Sequence, residues 1–121
     1  MNPADLFTHE ENPVTLAAGE TLFHAGDAAD GMYILLEGSL KVLVGDKVVE
    51  NSGRGALIGE MALVDNSPRG ATVSAVTACK LAKVDQRRFY RLIQQNPFFA
   101  THVMKELVDR IRQMNKLLTG S

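Results

Sequence analysis

The pattern of apolar positions divides the chain near residue 85. Before that point, short apolar runs rich in β-branched residues alternate with glycines, and nine of the ten glycines fall at positions 19, 26, 31, 38, 45, 53, 55, 59 and 70. Runs of this length between glycine and polar clusters read as strands joined by tight turns. Eight strands are predicted: Val14–Ala17, Thr21–His24, Met32–Glu37, Ser39–Val44, Lys47–Asn51, Ala56–Ile58, Ala71–Ala75 and Lys80–Val84. Met32-Tyr33-Ile34-Leu35-Leu36 is apolar throughout, as in a strand covered on both faces. Gly45-Asp46 is a hairpin signal between two such runs. Eight short strands at roughly even spacing predict an antiparallel roll or barrel.

After residue 85 the periodicity becomes helical. Asp85 is a good N-cap for a helix through Gln95, with Phe89, Leu92 and Ile93 on one face. Asn96-Pro97 ends that helix and starts another, because proline suits the first helical position. The second helix is expected to reach about Leu118. Met104, Leu107, Ile111, Met114 and Leu118 form a heptad seam about two heptads long. The seam serves either to pack the helix on its own roll or to join a second copy in a homodimer.

Composition narrows the class without changing this picture. The 121 residues predict one domain over 1–121, with the roll at about 12–85 and the helices at about 86–118. An apolar fraction of 45% and a charged fraction of 22% exclude a disordered, collagen-like or disulfide-framework chain. The single cysteine, Cys79, cannot form an internal bridge. No apolar run approaches the roughly 20 residues of a membrane span, and no secretory signal opens the chain. The expected location is the cytoplasm. Net charge is −1, but residues 86–121 carry seven basic and two acidic side chains. Such an excess reads as the wet face of helices or as a surface for an acidic partner.

Candidate chemistry concentrates in residues 58–75, Ile-Gly-Glu-Met-Ala-Leu-Val-Asp-Asn-Ser-Pro-Arg-Gly-Ala-Thr-Val-Ser-Ala. Glu60, Met61, Ala62 and Leu63 can form one helical turn after Gly59, with unpaired amides at its start. Arg69 follows six residues after Leu63, and the small residues Gly70 and Ala71 would let a ligand approach the backbone. An arginine and a fan of amides suit a phosphate, whereas a glutamate suits sugar hydroxyls that donate to it. A nucleotide with a compact phosphate meets both requirements. Glu60 and Arg69 forming a plain ion pair across a turn is the competing reading.

This segment resembles the phosphate-binding cassette of the cyclic nucleotide-binding domain family. The stretch Gly19-Glu20-Thr21-Leu22-Phe23-His24-Ala25-Gly26-Asp27-Ala28-Ala29-Asp30-Gly31-Met32-Tyr33, followed by Gly38-Ser39-Leu40-Lys41-Val42, is similar to the glycine-punctuated first half of that family's roll. The resemblance covers about residues 12–118. It implies a mostly β fold: an eight-stranded antiparallel, jelly-roll-like β-roll with a short N-terminal helix, a short cassette helix and two C-terminal helices. It implies that Glu60 and the Gly59 backbone hold a ribose hydroxyl and that Arg69 pairs with a cyclic phosphate. The amides of Ala62 and Gly70 would complete the phosphate site, with Met61 and Ala71 in the same cassette. Val42, Val49 and Ile58 would line the sugar and base, and the last helix would close over the base through Ile111 or Met114. Where the family usually carries Ala, Ser or Thr after the arginine, this chain has Gly70. The hydroxyl that often favours guanine is absent, which leans the expectation to cyclic AMP ahead of cyclic GMP.

His9, His24 and His102 are scattered, and no His-x-His or His-x3-His spacing offers a metal site. No nucleophile-elbow pattern is present. Neither a catalytic residue, a metal nor a cofactor is expected. The chain ends soon after the second helix, at Thr119-Gly120-Ser121, without a helix-turn-helix for DNA. The expectation is a stand-alone cyclic nucleotide sensor that acts on a protein partner through its C-terminal helices. The alternatives are a ligand-free roll used for interaction or dimerisation, and an enzyme on the same scaffold.

Overall fold

The computed structural model describes residues 2–63, 65 and 67–119, with the side chains of 117 and 119 excepted. The expected end at Gly120 and Ser121, and the cassette positions Val64 and Asn66, lie outside the described residues. Eight strands form: β1 (Val14–Leu16), β2 (Thr21–Phe23), β3 (Met32–Glu37), β4 (Leu40–Val44), β5 (Lys47–Ser52), β6 (Leu57–Ile58), β7 (Thr72–Ala75) and β8 (Cys79–Val84). Helices α1 (Gln86–Gln95) and α2 (Pro97–Thr119) follow. The two short helical pieces, Pro3–Phe7 and Glu60–Leu63, are 3-10 turns.

The strands make two antiparallel four-stranded sheets, ordered β1-β8-β3-β6 and β2-β7-β4-β5. Strand alternation splits the core in two. Leu35, Leu40, Ile58, Val73, Cys79 and Leu81 fill the space inside the roll. Met32, Ile34, Ala82 and Val84 face the other way, onto Phe7, Phe99 and Val103. The continuous apolar run of β3 thus feeds both clusters, which is why it shows no polar alternation. A close backbone approach explains Gly38, whose φ is +96° and where a Cβ would strike the carbonyl of Ala78.

The helices begin as their caps dictate. The Asp85 side chain accepts from the Arg88 amide at 2.7 Å, and Pro97 opens α2 directly after the α1 cap residue, Asn96. The packing of α2 differs from the heptad expectation. Phe99 and Val103 are buried and Leu107 is half-buried against the core. Of the expected seam, only Leu107 meets the roll, whereas Met104, Ile111, Met114 and Leu118 are exposed. Residues 99, 103 and 107 recur at the α-helical period, and that stripe faces the roll instead.

Leu81 is fully buried and Ile111 is 57% exposed. Leu81→Ala should therefore cost about 2–5 kcal/mol in urea denaturation, and Ile111→Ala less than about 0.5 kcal/mol.

Candidate functional site

Register builds one wall of a cavity. Across the second sheet, Phe23 pairs with Val73, Val73 with Val42, and Val42 with Glu50. These four side chains form a row over four strands, and all four line a cavity of about 270 Å³. The facing wall is the cassette: Ile58, Gly59, Glu60, Met61, Ala62, Arg69, Gly70 and Ala71 all line the same space. Every cassette residue singled out in the sequence therefore meets there, with Val42 and Ile58.

Val49 is the exception. The β4–β5 register shifts between Val42 and Leu43, which pair with Glu50 and Val48 and leave Val49 as the extra residue of a β-bulge. Val49 is 53% exposed and lies outside the lining, and Glu50 takes the wall position expected for it. Ile111 and Met114 are also outside the lining. From α2 it is Arg110 that reaches the cavity.

Arg69 is fixed at both backbone groups. Its amide donates to the Asp27 carbonyl and its carbonyl accepts from the Gly26 amide, each at 2.8 Å. The guanidinium is buried and lies 4.2 Å over the Phe23 ring. Nη2 donates to the Gly31 carbonyl at 2.7 Å and Nη1 to the Gly59 carbonyl at 3.3 Å. The approach to Gly59 requires a glycine, since a Cβ there would overlap Nη1, and the φ of +73° is left-handed as well. The carboxylate paired with Arg69 is Asp30, 3.9 Å away and exposed. A hydrogen bond from Lys83 holds the Asp30 carboxyl below its ordinary value, with smaller help from the charges of Lys83 and Arg69. That carboxylate is thus shared between two cations, and the buried guanidinium is undercompensated.

Glu60 is buried and sits at the first position of the 3-10 turn. Its Oε1 accepts from Arg110 Nη1 at 2.5 Å. Arg110 also donates to the Leu57 carbonyl at 3.3 Å and lies 3.7 Å from Glu50 Oε2. Glu60 and Arg69 therefore do not pair with each other. Among the described residues, the buried side-chain polar atoms without a partner are Glu60 Oε2 and Arg69 Nε. One is an acceptor and the other a donor, and both residues line this cavity. The Ala62 amide, expected to face an anion, donates to the Gly59 carbonyl at 3.1 Å within the turn.

Sequence reasoning missed Arg110 and Glu50. The signal for Arg110 was the basic excess of the last helix, set against a buried acid 50 residues earlier that needs a cation. For Glu50 there was none, because a bulge is invisible in the alternation it interrupts. Among the described residues no group of three or more His, Cys, Asp or Glu side chains could hold a metal ion. No described helix is long and apolar enough to cross a membrane.

Burial, opposed by the charge of Arg110, holds the Glu60 carboxyl above its ordinary value. The native state then takes up this proton before the unfolded chain does, so the contribution of Glu60 to stability falls as pH rises through the raised value. In urea denaturation, the stability of Glu60→Gln minus that of wild type should grow from the ordinary carboxylate range to neutral pH. A difference that stays flat contradicts the burial argument. Gly59→Ala should cost about 1–2 kcal/mol from the left-handed backbone alone, read in the same assay.

Comparisons with known proteins identify the family and the fold. The family model described as the cyclic nucleotide-binding domain matches residues 13–96. Lysophospholipase nte1 of Aspergillus oryzae is 34% identical over 109 residues, which is 86% of this chain and 7% of that protein. The chain thus spans a small fraction of the curated relatives it matches. The catabolite activator protein of Thermus thermophilus shares the fold at a TM-score of 0.80, with 23% identity over 94% of this chain and 61% of that one. The cAMP-bound PfPKA-R (141–441) superposes at a TM-score of 0.71, with 27% identity over 90% of this chain and 36% of that one. A roll whose cassette places a buried glutamate and arginine in one cavity, matched by the family model over most of its length, belongs to the cyclic nucleotide-binding domain family.

Proposed function

We propose that residues 1–121 form a sensor module that binds a cyclic nucleotide in the cassette cavity and acts by binding, without catalysing a reaction. The two unpartnered buried atoms carry this reading. Arg69 Nε offers a donor on an undercompensated cation, which suits the single negative charge of a cyclic phosphate. Glu60 Oε2 offers an acceptor, which suits a ribose hydroxyl. Gly59, Met61, Ala62, Gly70 and Ala71 shape the cassette around that ligand, while Val42, Val73 and Ile58 give it an apolar wall. Use of the Ala62 amide by the phosphate requires the turn to share or release its bond to Gly59. A roll serving only for interaction leaves both orphan atoms unexplained, and an unmade buried hydrogen bond is costly. The cAMP carried by PfPKA-R is consistent with this class of ligand. At residue 70 alone, the missing hydroxyl leans the site to cyclic AMP.

The same reading sends the signal out through α2. Arg110 ties that helix to the cassette, and the exposed stripe of Met104, Ile111, Met114 and Leu118 supplies a surface for a protein partner or a second copy. Cytoplasmic cyclic nucleotide is the ligand pool this reading requires.

Thermal unfolding with cyclic AMP and cyclic GMP tests the proposal. A ligand that binds only the native state adds about 2.7 kcal/mol at a hundredfold excess over Kd, which is several degrees for a domain of this size. Arg69→Leu should weaken either cyclic nucleotide by roughly ten- to a few hundred-fold. No shift with either ligand at millimolar concentration would overturn the reading.

A further inference from the structure

We infer that Glu50 reads the base of the bound nucleotide and that the site takes guanine in preference to adenine. This rests on the cyclic-nucleotide reading above and deepens it.

The cavity has a direction. Arg69 lies over Phe23 at one end of the row Phe23–Val73–Val42–Glu50, and Glu50 stands at the other. Glu60 lines the same cavity and is bound through Oε1 to Arg110, whose other terminal nitrogen sits 3.7 Å from Glu50 Oε2. Along the row the groups are therefore a cation, an apolar wall, then a carboxylate beside a guanidinium that also holds Glu60. A nucleotide presents phosphate, ring face and base edge in the same order, with its sugar hydroxyl between phosphate and base. With phosphate at Arg69 and a hydroxyl at Glu60 Oε2, the base edge falls at Glu50 and Arg110.

Among the described residues, Glu50 forms a loose ion pair with Arg110. Its side chain is 42% exposed, and its contact with Arg110 is beyond hydrogen-bond distance. Loose, partly exposed ion pairs contribute little to stability. A carboxylate on the wall of a cavity built for an anion is unfavourable unless the ligand brings donors to it. Guanine does so with two adjacent donors, N1–H and the 2-amino group, which match the two oxygens of a carboxylate. Its O6 accepts from a neighbouring guanidinium such as Arg110. Adenine offers one amino group flanked by ring-nitrogen lone pairs, so one carboxylate oxygen faces repulsion. Gly70 contributes no hydroxyl to either base, and the Asp65 carboxylate and Ser67 hydroxyl that also line the cavity are bonded to each other.

Isothermal titration of the intact chain with cyclic GMP, cyclic AMP and cyclic IMP tests this, using wild type and Glu50→Leu. Cyclic IMP keeps N1–H and O6 but lacks the 2-amino group. A bidentate base contact corresponds to roughly ten- to a hundredfold discrimination. Wild type should bind cyclic GMP more tightly than cyclic AMP by about that factor, with cyclic IMP between them. Glu50→Leu should erase most of the preference by weakening cyclic GMP, while cyclic AMP changes less than about threefold. Binding of both nucleotides without preference, a preference for cyclic AMP, or an equal change for both ligands in Glu50→Leu would overturn the inference and leave the cyclic-nucleotide reading intact. Failure of wild type to bind any of the three would overturn both.

Discussion

The buried guanidinium of Arg69 is the constraint on which the rest of the site depends. Removing such a group from water is expensive unless it is paired and fully hydrogen-bonded. This chain compensates it in part, with two backbone carbonyls, an aromatic face and a shared, exposed aspartate. Each of those contacts fixes something else. The Gly59 carbonyl and left-handed φ set the entry to the cassette turn. The turn around Gly26 and Asp27 is clamped to residue 69 by two backbone hydrogen bonds. Phe23 is held as the end of the cavity wall. The donor left over, Nε, has no hydrogen-bond partner among the described residues, which a ligand accounts for better than stability does.

Glu60 extends the same logic to the last helix. A buried carboxylate needs a cation, and the one supplied comes from α2, 50 residues along the chain. The helix packs on the roll through Phe99, Val103 and Leu107, and Arg110 continues that stripe by one turn to the cavity. Because one carboxylate serves both α2 and the cavity, anything that changes the hydrogen bonding of Oε2 changes the environment of Oε1. In the proposed function, coupling between the cassette and the helix would run through this single side chain. Differential affinity for two arrangements of α2 is the condition for that coupling to carry a signal.

Where local chemistry decides, the sequence was legible. Glycine-bounded β-branched runs located all eight strands to within a residue or so. Asp85 and Pro97 marked the helix starts because a cap and a proline act on their own backbone. Glu60, Arg69 and Gly59 were legible from type and spacing together with the family resemblance. The rest depended on distance. The Glu60–Arg110 pair joins elements that share no local pattern, and the basic residues of α2 read equally well as a solvated face. The bulge at Val49 moved Glu50 onto the cavity wall, since a one-residue slip exchanges the faces of a strand. The seam at 104, 107, 111, 114 and 118 is regular in sequence, yet the roll selected the neighbouring stripe.

The central claim is that Arg69 Nε–H is a donor held in reserve for a cyclic phosphate. Its resonance can be followed directly by proton–nitrogen NMR of arginine side chains in labelled protein. The account predicts that saturating cyclic nucleotide moves the Arg69 Nε–H signal downfield and slows its exchange with water, as a new charge-assisted hydrogen bond requires. An Nε–H signal that keeps its position and exchange rate in the ligand-saturated protein would contradict it.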